Sequence, residues 1–408
     1  MEKTDKLFGL MKFRGGTSFE RFKAFTGGNE TQYDTILEKL QHSSEPRTME
    51  LLVDPGCNQH CAHCFLGQTR TRTRTPRETV KQVGTALLDQ GYFLIPYPSE
   101  PLVSEAAFAA YTEFLSPYGD FLTNGTASLP QKSVKKLIQK LIVNNHKSIL
   151  LSLHGATEET HEALTRTGDS FKSVLRMIEK LGPYVGHELS RVGLSVVVSK
   201  LNIPELDDIC IIAIKNNVKL LSLLKLTPFY HTELPQRLIM DYQSTMDALL
   251  EISRLRLKYH GKLHIEMRPA TWGPNFHNPG IWFYLYENLD LSTARHICPA
   301  FGWWLAVHPA KKELYPCMIA SGLSELKIGE LTDGTHIQYN ALGKQLLKWH
   351  HNWIDNAKGP CAVDACQYSM ICHGGCRTVA LAGELQKGGV PDWFSPFPEC
   401  PTQLLDVL

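Results

Sequence analysis

From Thr48 onward the chain alternates short runs of aliphatic and β-branched residues with amphipathic stretches of helical length. This pattern builds a parallel sheet or barrel covered by helices. Six such units are readable. Their strands are predicted at Met49–Val53 (MELLV), Tyr92–Tyr97 (YFLIPY), Asp120–Thr123 (DFLT), Ser148–Leu153 (SILLSL), Gly193–Val198 (GLSVVV) and Lys219–Leu226 (KLLSLLKL), each followed by a helical segment. The first helix has a readable start: Thr75 as N-cap, Pro76 at the first helical position and Glu78 three residues after the cap form a capping box. A long helix is expected from about Leu238 to Tyr259, after which the chain turns Trp-, Pro- and Cys-rich. The predicted organisation is a polar lead-in over 1–47, an α/β partial barrel over 48–260 and a small cysteine-rich domain over 261–408.

Composition narrows the function classes. A chain of 408 residues, 43% of them hydrophobic, can bury one large core plus a smaller appended module, or two ordinary domains. A formal net charge of +1 gives no long-range attraction for nucleic acid or an anionic membrane. No run approaches the roughly 18 consecutive apolar residues of a membrane span, and the N-terminus lacks a signal-peptide core. A cytoplasmic protein with neither a membrane nor a nucleic-acid partner is expected. In that compartment the eleven cysteines point to metal ligation rather than disulfides. The run Arg70, Arg72, Arg74 and Arg77, alternating with threonines, reads as a solvated turn, with a clamp for an anionic or peptide substrate as the alternative.

The segment DPGCNQHCAHCF places Cys57, Cys61 and Cys64 at C-x3-C-x2-C spacing in the loop after the first strand. In parallel barrels the loops at the C-terminal strand ends carry the chemistry. Three thiolates on a four-iron cubane leave one iron open to an exchangeable ligand. The residues alone also admit a structural zinc site closed by His60 or His63. Seven further cysteines, Cys298, Cys317, Cys361, Cys366, Cys372, Cys376 and Cys400, fall in the last 111 residues. For them, too, zinc is the alternative to iron–sulfur. Cys210, at a spacing unrelated to either set, is expected to be a small buried hydrophobe.

The first cysteine loop resembles that of the radical S-adenosylmethionine (SAM) superfamily, which implies a [4Fe–4S] cluster whose open iron chelates SAM. His63 stands where the family usually has an aromatic residue, so it is implied to lie near the adenine. Pro98-Ser99-Glu100-Pro101 aligns with the family's Gly-Gly-Glu-Pro, and Glu100 is implied to hold the methionyl ammonium. Both glycines are replaced here: Pro98 lacks an N–H and Ser99 does not reach positive φ cheaply, so the SAM site is expected to be reshaped at this point. The resemblance continues through LTNGT (Asn124), LSLHGATEETHEALTRTGDSF (Ser152 and Arg166) and VVVSKLNIPEL (Asn202). It implies that Ser152 contacts the SAM ribose or methionyl group and Arg166 its carboxylate.

The segments CPAFGWWLAVHPAKKELYPC and CAVDACQYSMICHGGCR resemble the SPASM extension of these enzymes, which binds up to two auxiliary [4Fe–4S] clusters. By that resemblance Cys298, Cys317 and Cys376 hold the first, with an iron left to a non-cysteine ligand, and Cys361, Cys366, Cys372 and Cys400 hold the second. Two departures are visible, the widened Cys361-x4-Cys366 pair and Lys312 at a position usually occupied by glycine. The implied fold is a partial (β/α)6 barrel followed by the SPASM domain. The implied activity is reductive SAM cleavage to a 5′-deoxyadenosyl radical that oxidises or cross-links a ribosomal peptide or protein side chain, fed by an external one-electron reductant such as flavodoxin or ferredoxin. The alternative is a dehydrogenase, epimerase or rearrangement enzyme for a small molecule such as a sugar, amino acid or nucleoside. Sulfatase maturation is disfavoured, because Met318 occupies the place of the acidic residue that follows the cysteine aligned with Cys317. A non-catalytic electron carrier is disfavoured as well, since it needs no SAM-site residues.

Overall fold

The first strand, β1 (Thr48–Asp54), is buried on both faces: Met49, Leu51 and Val53 are at 0% exposure on one, and Leu52 at 3% and Glu50 at 8% on the other. A strand of this kind belongs inside a parallel sheet with a neighbour on each edge. On one edge it pairs in parallel with β2 (Phe93–Pro98), Thr48 opposite Phe93 and Leu51 opposite Pro96. The computed structural model describes residues 48–54, 56–64, 75–90, 92–103, 107–108, 111, 121–126, 149–181, 192–226, 234–267, 304–333, 336–351 and 377–386.

A second sheet carries β3 (Phe121–Thr123), β4 (Ile149–Ser152), β5 (Val192–Val198), β6 (Leu220–Lys225) and β7 (His264–Met267), in that spatial order and all parallel. The six predicted strands therefore form in the predicted places. Gly193 explains the closeness of the middle strands: a Cβ there would lie 2.6 Å from Leu150 Cδ2 and 3.1 Å from the Leu220 Cβ, so a larger residue would push the neighbouring strands apart. Strand β7 was not foreseen. It extends the sheet beyond residue 260, so the helix predicted before that point lies between two strands of one sheet.

The other edge of β1 is taken by β8 (Trp304–His308), again parallel, with Met49 opposite Leu305 and Leu51 opposite Val307. From β8 the sheet continues antiparallel through β9 (Glu313–Tyr315), β10 (Gly329–Thr332) and β11 (His336–Tyr339). The C-terminal region thus shares a sheet with the first two strands. The β8–β9 turn places Lys312 at φ 56°, in the left-handed region that a glycine would occupy without strain.

Helices cover the sheets: α1 (Arg77–Asp89), α2 (Glu158–Thr165), α3 (Ser170–Leu181), α4 (Leu206–Lys215), α5 (Tyr242–Lys258), α6 (Ala341–His351) and α7 (Arg377–Gln386). Helix α3 buries Val174, Met177, Ile178 and Leu181 at the i, i+3, i+4, i+7 spacing of a single face. Helix α4 buries Cys210 at 0% exposure within the main core, where burial pushes its thiol up to about 12. The predicted start of α1 needs correction. Pro76 is the N-cap and Arg77 the first helical residue, with no side-chain cap; the hydroxyl of Thr75 is buried and has no hydrogen-bond partner among the described residues. Thr75 is drawn into the interior, so its oxygen does not reach the helix end. No described helix is long and apolar enough to cross a membrane.

Candidate active site

The cysteine loop lies at the C-terminal end of β1, and three neighbouring strand ends and one helix end hold it. The N–H of Glu100, just after β2, donates to Gly56 O at 3.2 Å. Asn124, after β3, donates from its amide to Cys57 Sγ at 3.8 Å and to Asn58 Oδ1 at 2.8 Å. Asn58 in turn donates to the carbonyl and the hydroxyl oxygen of Thr126, each at 3.0 Å. On the opposite side Ala62 N–H donates to Leu164 O at 2.8 Å, docking the loop on the C-terminal end of α2. The His63 ring meets His154, after β4, edge to face with centroids 4.5 Å apart. Cys57, Cys61 and Cys64 are thiols rather than disulfides, and all three are partly exposed.

Three thiols on one pinned loop, with no fourth ligand gathered to them among the described residues, suit a cubane that keeps an open iron. Among the described residues no three His, Cys, Asp or Glu side chains, the loop cysteines included, are already gathered tightly enough to hold a metal ion. Cys57 is furnished for a thiolate, because it accepts from Gln59 N–H at 3.5 Å as well as from Asn124.

The residues expected to hold SAM fall into two sorts. Glu100 is 1% exposed, and its carboxylate is committed to the protein: Oε1 accepts from Leu102 N–H at 2.9 Å and from the Thr123 hydroxyl at 2.7 Å, and Oε2 from Asn124 N–H at 2.7 Å. Burial pushes this carboxyl up to about 7, with the three donors pulling against the shift. About one of its four lone-pair sites remains. Glu100 therefore joins the ends of β2 and β3 while keeping about one acceptor site. Asn202, at 0% exposure, is likewise committed. It donates to His154 O at 2.7 Å and Val197 O at 2.8 Å and accepts from Ser199 N–H at 2.8 Å. It ties the ends of β4 and β5 together.

Ser152 and Arg166 are the opposite sort. Ser152 ends β4 partly exposed, and the guanidinium of Arg166 projects from the C-cap of α2, two residues beyond the Leu164 carbonyl that holds the cysteine loop. Neither side chain has a polar partner among the described residues. Arg166 sits at φ 51°, a left-handed position that costs a non-glycine residue about 1 kcal/mol. Ser99 is intermediate: its hydroxyl is buried and without a partner among the described residues, which is what a polar group awaiting a ligand looks like. Neither Pro98 nor Ser99 takes a positive φ, so the segment that replaces two glycines needs no strained backbone here.

A buried histidine floor escaped the sequence reading. His154 and His161 stack with centroids 5.8 Å apart. Val197 N–H donates to His154 Nδ1 at 3.2 Å, and His154 N–H donates to His161 Nδ1 at 3.0 Å, so each ring carries its proton on Nε2. Burial holds His154 well below the usual imidazole range, with His63 and His161 adding to the effect, and lowers His161 to about 4. Gly155 makes room for this packing, since a Cβ there would come within 2.6 Å of His161 N. Glu205 fastens the same corner by accepting from Ala156 N–H at 2.6 Å and Thr160 Oγ1 at 2.5 Å. His154 lies on the loop after β4 and His161 inside α2, so their seven-residue separation belongs to no single element and left no signal.

Of the predicted auxiliary ligands, Cys298, Cys361, Cys366, Cys372, Cys376 and Cys400 lie outside the described residues, as do Arg70, Arg72 and Arg74. Cys317 is described. Its Sγ lies 3.1 Å from Thr378 Oγ1, and the next N–H, that of Met318, donates to the buried Glu50 carboxylate of β1 at 2.6 Å.

No family model and no curated protein matches the chain. Solved structures do. SuiB of Streptococcus suis bound to S-adenosylmethionine is similar over 91% of this chain and 81% of its own, at 16% identity and a TM-score of 0.60. SuiB bound to precursor peptide SuiA covers 91% and 80% at 16% identity and a TM-score of 0.59. The native anSMEcpe structure with bound AdoMet and Cp18Cys peptide covers 89% and 98% at 16% identity and a TM-score of 0.59. At that identity the likeness is one of fold, and the chain has the mixed α/β fold of the radical SAM enzymes that carry a SPASM extension.

Proposed function

We propose that this protein is a radical SAM enzyme that binds a [4Fe–4S] cluster on Cys57, Cys61 and Cys64 and cleaves SAM reductively. The observation that carries the reading is the division at the strand ends: the cysteine loop is pinned by internally satisfied residues, while Ser152 and Arg166 beside it keep their polar atoms for a ligand. A cluster held by Cys57, Cys61 and Cys64 would supply the single electron needed for reductive SAM cleavage and hydrogen-atom abstraction from an unactivated carbon. The chain's own residues bind and orient. Arg166 pairs with the SAM carboxylate, Ser152 contacts the ribose or methionyl group, Ser99 supplies a hydroxyl to the amino-acid end, and His63 approaches the adenine over the His154 and His161 floor.

The substrate we favour is a peptide or protein side chain, oxidised or cross-linked. This rests on SuiB and anSMEcpe, both of whose structures include peptide-bound forms. Met318, 2% exposed, offers no acid or base at its position, which disfavours sulfatase maturation. We assign the remaining C-terminal cysteines to auxiliary clusters and the electron supply to a flavodoxin or ferredoxin in the cytoplasm. Anaerobically reconstituted protein should hold about 12 iron and 12 sulfide, as three four-iron clusters require. The triple change of Cys57, Cys61 and Cys64 to Ala should remove about a third of that iron and all formation of 5′-deoxyadenosine. Zinc in place of iron, or continued SAM cleavage by the triple variant, would refute the proposal.

A further inference from the structure

The turn after β3 holds an amide whose direction is fixed by its surroundings. Asn124 Oδ1 accepts from Thr126 N–H at 2.9 Å and from Thr126 Oγ1 at 2.6 Å. A backbone N–H can only donate, so the oxygen must face Thr126 and the amide nitrogen must face Cys57 Sγ and Asn58 Oδ1. The turn itself depends on Gly125 at φ 69°, with Val174 Cγ2 3.0 Å from where a Cβ would stand. The backbone of Asn124 is anchored by its N–H on the buried Glu100 carboxylate at 2.7 Å. Two strands and a buried carboxylate thus hold one N–H against one sulfur.

We propose that Asn124 is a positioning residue that sets the electron affinity of the cluster on the Cys57 loop. The proposal rests on the reading that this loop binds a cluster. An N–H donated to a ligand sulfur stabilises the reduced, more negative state, so it raises the reduction potential. Gln59 N–H contributes in the same way to the same sulfur at 3.5 Å. That donor belongs to the loop backbone, whereas the Asn124 amide reaches Cys57 from another strand and can be altered alone.

The test is an EPR-monitored redox titration of the reconstituted full chain, following the signal that the Cys57, Cys61 and Cys64 triple alanine variant lacks. Asn124→Asp preserves size and both acceptor bonds from Thr126 but replaces the donor with a negative charge. Asn124→Ala removes the donor without adding charge. Both signals should move to lower potential, the Asp variant further, with the iron content of the Asp variant equal to wild type. A potential unchanged in the two variants would overturn the proposal. Should Ala fail to fold, the isosteric Asp variant decides alone, and an unmoved potential in it has the same force. A wild-type chain that loads no iron on this loop would overturn the parent reading and this inference together, whereas loaded protein with unmoved potentials overturns only the inference.

Discussion

The two flanks of the cysteine loop handle polar groups in opposite ways. On the β2–β3 flank, Glu100, Thr123, Asn124, Asn58 and Thr126 satisfy one another so fully that little is left for a visitor. On the β4–α2 flank, Ser152 and Arg166 have no internal polar partner among the described residues, and Arg166 holds a strained backbone angle. The difference separates framework from receptor within a single site. A committed carboxylate contributes by fixing geometry, and its loss should register in stability; an uncommitted guanidinium contributes through its ligand, and its loss should register in affinity.

The largest expected effect falls on the committed flank. Glu100→Ala strands the Leu102 and Asn124 N–H groups and the Thr123 hydroxyl in the interior, and should cost about 3–5 kcal/mol in urea unfolding. A variant with native stability and weakened SAM binding alone would place Glu100 with the receptors. Beneath the open flank, His161 should impose an acid limit. Its folded value of about 4 lies below the unfolded 6.5, so the unfolded chain binds the extra proton and stability falls as pH drops through that window. The full loss is roughly 3 kcal/mol, and His161→Gln should flatten the stability profile between pH 6.5 and 4 by as much as ~1.4 kcal/mol per pH unit.

Arg166→Gly should move two observables in opposite directions. Losing a charge-assisted bond of roughly 1.5–3 kcal/mol weakens SAM binding by about one to two decades, while releasing the left-handed strain raises unfolding stability by about 1 kcal/mol. A variant that loses both would show the guanidinium to be framework after all. The smallest effect is that of Ser152→Ala, about fivefold in SAM affinity, the worth of one neutral hydrogen bond, with stability unchanged. Calorimetric titration of SAM into the reconstituted variants reads both.

The strand positions were legible because β1 and β5 are short aliphatic-rich runs, the texture of strands that a parallel sheet buries on both faces. The motifs picked out the cysteine loop, Ser152 and Arg166 and put them at neighbouring strand and helix ends, where the proposed SAM contacts start. The role of Glu100 was not, since the motif names the residue but not the three donors that converge on it from positions as far as Asn124. Strand β8 was not legible as a partner of β1, because a pairing across so long a stretch leaves no local periodicity. Lys312 was flagged as a departure from glycine, and its φ of 56° shows the position retaining the backbone a glycine would take.

The contact between Glu50 and Met318 spans 268 residues of sequence. Consider the chain as it leaves the ribosome. Strand β1 emerges early and soon meets β2, but its other edge has no partner until β8 is made, and Glu50 has no Met318 N–H to accept until a few residues later still. At about 5–20 residues per second that interval is on the order of tens of seconds, during which an apolar strand with an unpaired edge carries the three thiols at its tip. On the proposed reading, cluster insertion and sheet closure would compete for the same nascent segment. A delivery system that reached the loop before β8 arrived would find it unlocked, and one that came afterwards would meet it already braced.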